Sequence, residues 1–163
     1  MATITTLAGG ASAGRTAGSV PYVVDKVIDF AAAATAKGSA LAAADVIECL
    51  SVPANTVILN AGFEVITVAG GESADNAWDL GVTGVDADNF VDGFDGDAAA
   101  AGAYAQNAAA FQPIVIGATA DTIDLLIQAA TTAPTSGSLR VWAVLVSVDG
   151  RPTTDAVDRD QLA

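Results

Sequence analysis

The sequence predicts an all-β protein: an antiparallel β-sandwich, jelly-roll-like, of about eight strands, with an extended N-terminal arm. Apolar and polar residues alternate at period two in several separate runs. Loops rich in Gly, Ala and Asp part those runs. No regularly interposed helices accompany them, as parallel strands would require. At 163 residues the chain suits one domain, and neither an internal repeat nor a linker divides it.

Residues 1–19 are low-complexity Ala, Gly, Thr and Ser with a single base, Arg15, and form an arm without a core of its own. Such an arm gains order by lying on something, and a neighbouring chain is the natural candidate. The sandwich is expected over 20–150. PYVVDKVIDF (21–30) places Tyr22, Val24, Ile28 and Phe30 on one face, interrupted by Lys26. AAAATAKGSALAAA (31–44) favours a helical turn or loop broken at Gly38. VIECLSV (46–52) leads through Pro53-Ala54-Asn55 into TVILNAGFEVIT (56–67). The second run aligns Val57, Leu59, Ala61, Phe63 and Val65, with a bend or bulge expected at Ala61-Gly62.

AWDLGVT (77–83) alternates again, and NFVDGF (89–94) reads as a short strand or turn. In DAAAAGAYAQNAAAF (97–111) Ala favours helix, whereas Gly102 and Asn107 argue for a long loop. QPIVIG (112–117) and DTIDLLIQ (121–128) precede SLRVWAVLVSVD (138–149), which is apolar on both faces. A strand covered on two sides is central or has one face in a subunit contact. Trp142 is in phase with Val144, Val146 and Val148, and Trp78 with Leu80 and Val82, so both tryptophans are expected in the core. The acidic residues 151–163 are expected to form a surface tail.

The composition excludes much chemistry. Net charge is −13, from 19 acidic and 6 basic residues. That surface repels phosphates and anionic lipid, so neither nucleic acid nor membrane is an expected partner. No run approaches the ~20 apolar residues of a membrane helix, and the start lacks signal-peptide features. Synthesis in a host cytoplasm is therefore expected. Histidine is absent, which removes the commonest general base and metal ligand. Cys49 is the single cysteine, set in an apolar run where a buried structural thiol is expected.

Carboxylates are the plentiful functional groups. Asp86, Asp88, Asp92, Asp95 and Asp97 in residues 85–98 are weak calcium candidates, because hard cations take several oxygen ligands from one loop. The spacing departs from the EF-hand: Phe90 stands at a ligand position, and no Glu closes the loop. Asp79 with Asp92, or Asp121 with Asp124, would be the carboxylate pairs of a glycosidase; nothing in the sequence supports their convergence. No phosphate-binding glycine motif occurs. The reading is no enzyme and no cofactor.

The series VIECLSVPANTVILNAGFEVIT (46–67), WDLGVTG (78–84), DNFVDG (88–93), ADTIDLLI (120–127) and LRVWAVLV (139–146) resembles the head decoration or cement proteins of tailed bacteriophages. The likeness spans residues 20–149. It implies a jelly-roll-like sandwich on the outer surface of a virion. Such a protein assembles with itself, often as a trimer, and bridges neighbouring major capsid subunits. Arg15, Tyr22 and Tyr104 are the expected interface residues. The alternative is a phage fibre or spike component, or a carbohydrate-binding module, for which Tyr104 is the one candidate platform.

Overall fold

The computed structural model describes residues 3–4, 9–10, 20–71 and 75–148. Arg15 and the tail 151–163 lie outside the described residues. In chain order the elements are β1 (Thr3–Ile4), β2 (Gly9–Gly10), β3 (Tyr22–Asp29), α1 (Phe30–Lys37), β4 (Val46–Val52), β5 (Thr56–Gly70), β6 (Ala77–Val82), β7 (Asp86–Asp95), β8 (Tyr104–Gln106), β9 (Ile114–Ile116), β10 (Asp121–Ala129) and β11 (Ser136–Ser147).

Local chemistry explains the boundaries. Asp29 caps α1, its Oδ1 accepting from Ala32 N at 2.8 Å, and Gly38 closes the helix at φ 78°. Asn55 takes φ 54° in the turn between β4 and β5, a conformation that asparagine tolerates. Gly102 and Asn107, at φ 84° and 59°, bracket β8, so the Ala-rich stretch is a loop carrying one short strand.

The strands form two sheets. The first has the order β1-β4-β10-β6-β7 with β2 also beside β4; the second has the order β3-β11-β5-β8 with β9 also beside β5. Sequential pairing runs from the outside inwards: β3 with β11, β4 with β10, β5 with β8 and β9, β6 with β7. That nesting is a long antiparallel hairpin rolled into two layers, which is the jelly roll. The sequence expectation of an antiparallel β-sandwich therefore holds.

Between the layers Trp78 is fully buried against Phe30, Phe63 and Phe94, with ring centroids 5.1, 6.2 and 5.8 Å away. Cys49 is also fully buried, and burial pushes its thiol pKa well above the ordinary range, which leaves it unreactive.

Three expectations are corrected. The described arm residues lie on their own chain: Thr3 and Ile4 pair in parallel with Val46 and Ile47, and Gly9 and Gly10 with Leu50 and Ser51. This covers a β4 edge whose ladder groups would otherwise be open. In β5 the register slips between Ile58, opposite Leu145, and Asn60, opposite Val144. Leu59 is the extra residue, so the inward face is Ile58 before the bulge and Ala61, Phe63 and Val65 after it. Trp142 is not core. Leu139, Val141, Ala143 and Leu145 fill the inward phase of β11 completely, which turns Trp142, Val144 and Val146 to the outer side of the second sheet.

Candidate assembly surface

The outer face of the second sheet follows from the composition of β11. A central strand with β3 on one side and β5 on the other needs one apolar phase for the core, and β11 has two. Its second phase, Arg140, Trp142, Val144 and Val146, is only half-covered along most of its length. The ladder sets Val23 opposite Val144, Asp25 opposite Trp142 and Val27 opposite Arg140. On the other side it sets Gly62 opposite Trp142, Asn60 opposite Val144 and Val57 opposite Val146. Val57 in turn lies opposite Val115 of β9. The result is a band of valines running from strand to strand around one indole. Val23, Val27 and Val115 are 67, 52 and 66% exposed, far more than their neighbours in the core.

Gly62 is what lets the indole lie down. A Cβ there would come within 2.9 Å of Trp142 Cζ2 and 2.5 Å of the Ala105 carbonyl oxygen, so only glycine admits both neighbours. Beyond Trp142 the band ends in charge. Arg140 Nη1 is 3.6 Å from Glu64 Oε2, and its Nε is 3.9 Å from Asp25 Oδ2. These pairs are exposed enough to contribute little stability, but Arg140 offsets one of the two acidic charges beside it. Asn60 is the polar interruption, and its Oδ1 is shielded without a hydrogen-bond partner.

The expected interface residues separate. Tyr104 pairs with Glu64 in the ladder and is 63% exposed, at the margin of this face. Tyr22 lies opposite Leu145, in the inward phase, partly buried against the core. Arg15 lies outside the described residues. The valine band escaped the sequence reading. Its signals were the two apolar phases of β11 and the Val23, Asp25, Val27 phase of β3.

The carboxylates lie mainly with the first sheet. Glu48 pairs with Asp124 across β4 and β10, and Asp79 is opposite Leu126. Burial pushes the Asp124 carboxyl pKa up; hydrogen bonds from Thr122 and Thr83 oppose the shift, and the charge of Asp121 adds to it. Asp124 Oδ2 accepts from Thr83 N at 3.2 Å, while Oδ1 is buried without a partner. Burial also raises Asp79, against a hydrogen bond from Gly93 N at 2.7 Å, with Asp92 and Asp88 adding repulsion. Glu48 is raised by desolvation first, then by Asp124 and Asp121.

The calcium candidates are strung along a strand instead of sharing a loop. Asp86, Asp88, Asp92 and Asp95 belong to β7, and Asp97 follows it. Asp86 is raised chiefly by its hydrogen bond to Asp88, and Asp95 Oδ1 accepts from Ala98 N at 3.1 Å. Among the described residues no three acidic or thiol groups gather in a way that could hold a metal.

No family model and no curated protein matches this chain. Solved structures do. A chain of the Cyanophage Pam1 capsid asymmetric unit matches with a TM-score of 0.58 at 16% identity, over 84% of this chain and 91% of that one. A chain of the capsid of Ralstonia phage GP4 matches with a TM-score of 0.56, also at 16% identity, over 84% of this chain and 91% of the other. At such identity the likeness establishes a common fold: this chain has the jelly-roll sandwich also found in chains of those phage capsids.

Proposed function

We propose that this chain is a non-enzymatic structural protein of a phage virion, which decorates the outer surface of the capsid and stabilises it by bridging neighbouring major capsid subunits as a homotrimer. The observation that carries the reading is the fold shared over 84% of the chain with chains of phage capsids. The surface chemistry supports it. A rigid sandwich with a half-covered apolar face is built to associate, and its scattered carboxylates are not arranged for catalysis. Symmetry then multiplies modest contacts through avidity. The strongly acidic exterior keeps decorated particles mutually repelling.

Mixing the purified protein with undecorated capsids tests the proposal. Co-sedimentation, with a rise in the temperature at which the shells rupture, is expected. Capsid pellets that carry none of the protein at saturating concentration refute decoration. The exposed Tyr104, at the margin of an apolar face, favours a second reading as a fibre, spike or carbohydrate-binding module. That reading requires Tyr104 fluorescence or chemical shifts to respond to an oligosaccharide.

A further inference from the structure

We infer that the outer face of the second sheet is the surface through which copies of this chain contact one another. The inference rests on the assembly reading above and names the contact.

The face is apolar where a solvated sheet face should be polar. Val23, Val27, Val57, Trp142, Val144 and Val146 form an apolar band across β3, β11 and β5, interrupted by Asp25 and Asn60. A β-sandwich ordinarily shows polar residues on this side. The band also reaches an open margin: among the described residues β3 has a ladder partner, β11, on one side alone. β4 and β5 are paired on both sides, and the margin strand β7 is charged. β1 and β2 cover β4, β8 and β9 cover β5, and β7 bears Asp86, Asp88, Asp92 and Asp95.

Charge selects the occupant. Two copies at −13 each repel across most of their surfaces. On this face Arg140 sits between Asp25 and Glu64 and offsets one of their two charges, so two such faces meet with less repulsion than two β7 edges, each with four aspartates and no base, would. A basic partner would find more complement on the first sheet, along β7 with its exposed Asp86, Asp88, Asp92 and Asp95. The two longest segments outside the described residues are poor in large apolar groups. Residues 11–19 are Ala, Ser, Gly, Thr and Arg, and 149–163 carry Asp149, Asp155, Asp158 and Asp160 with few large apolar groups. A second copy brings valines to valines.

The test is the molar mass of the free protein by light scattering across a dilution series, without capsids. Wild type is expected well above the 16.1 kDa of one chain. The double variant Val23→Asp/Val27→Asp alters the most exposed part of the band. It is expected to run as a monomer, or to associate roughly 30-fold more weakly, as loss of a central contact does. Its circular dichroism and melting temperature, measured at low concentration, should match wild type. Val85→Asp adds charge at an exposed position on the hairpin between β6 and β7, off this face, and should keep the wild-type mass. A monomeric wild type overturns the inference, as does a double variant that retains wild-type mass. So does a Val85→Asp variant that dissociates to the same extent, since general charge would then be the cause. Normal self-association in a protein that ignores capsids strikes the decoration proposal and leaves this one standing.

Discussion

The two tryptophans occupy opposite sides of the sandwich wall, and removing each should cost different amounts. Trp78→Ala deletes a fully buried indole in contact with Phe30, Phe63 and Phe94. Truncation of a buried tryptophan costs about 3–5 kcal/mol, with the high end where the walls cannot collapse. Here three rings and the Gly96 backbone, packed under the indole, restrict collapse. The change also removes the donor to Asn76 Oδ1, now bonded at 3.0 Å, in a side chain whose Nδ2 already lacks a partner. An orphaned buried acceptor adds about 1–3 kcal/mol. The expected total is about 6–8 kcal/mol, comparable with the whole stability of many domains at ~5–15 kcal/mol. Trp142→Ala differs because the ring is half-covered. With about 160 Å² shielded, at ~25 cal/mol per Å², and part of it already hidden in the unfolded chain, the loss is about 3 kcal/mol. Urea unfolding followed by circular dichroism measures both, at protein concentrations low enough that association does not contribute. Equal costs, or a larger cost at Trp142, would refute the assignment of the two faces.

Stability should rise on mild acidification. Asp124, Asp79 and Glu48 all have carboxyl pKa values raised by burial and by neighbouring carboxylates. The folded state therefore binds protons more tightly than the unfolded state. Their stabilising contribution is fully present below the ordinary carboxylate pKa and is lost as pH rises through the raised values. The urea midpoint should fall as pH climbs from just above that ordinary range to neutrality, and Asp124→Asn should flatten the fall; a midpoint that climbs over this interval contradicts the assignment. Gly62→Ala should destabilise by about 1–3 kcal/mol, because its methyl meets the Ala105 carbonyl and the Trp142 ring. The same variant should shift Trp142 fluorescence towards that of a more solvated indole; an unchanged spectrum and midpoint would show that the neighbours yield freely. Deleting residues 1–19 should leave the sandwich folded by circular dichroism while weakening attachment to shells and uncovering the β4 edge. Retained particle binding would remove the arm from the mechanism.

Most of the architecture was legible because period-two patterning reports strands directly. VIECLSV (46–52) became β4 as bounded, and the Pro53-Ala54-Asn55 turn, the break at Gly38 and the apolar run of β11 fell where their residues placed them. What alternation does not report is which phase faces inward. In β11 both phases are apolar, and the larger residue, Trp142, occupies the outer one because Gly62 and not another side chain lies beneath it. In β5 the extra residue Leu59 exchanges the phases partway along, and nothing local to Leu59 distinguishes it from its neighbours. The aspartates of 85–98 looked like a ligand loop because Asp and Gly also make turns. Pairing with β6 draws them out along an edge, where repulsion protects the strand against stray pairing.

The chemistry of the two outer faces is opposed in a way the fold makes useful. The jelly roll lays β11 between β3 and β5, so whatever its outer phase carries is displayed at the middle of a broad sheet. Polar residues there would make that face inert. Trp142, Val144 and Val146 instead make it adhesive, while beside them Arg140 pairs with Asp25 and Glu64. On the first sheet the arrangement is reversed: β7 carries the exposed Asp86, Asp88, Asp92 and Asp95, burial raises the carboxyl pKa values of Glu48, Asp79 and Asp124, and no described lysine or arginine pairs with these last three. A uniformly acidic protein would repel its own copies in every orientation. Concentrating the charge on the first sheet leaves the second as the direction of approach with least repulsion, so the acidic sheet orients the encounter that the apolar sheet completes.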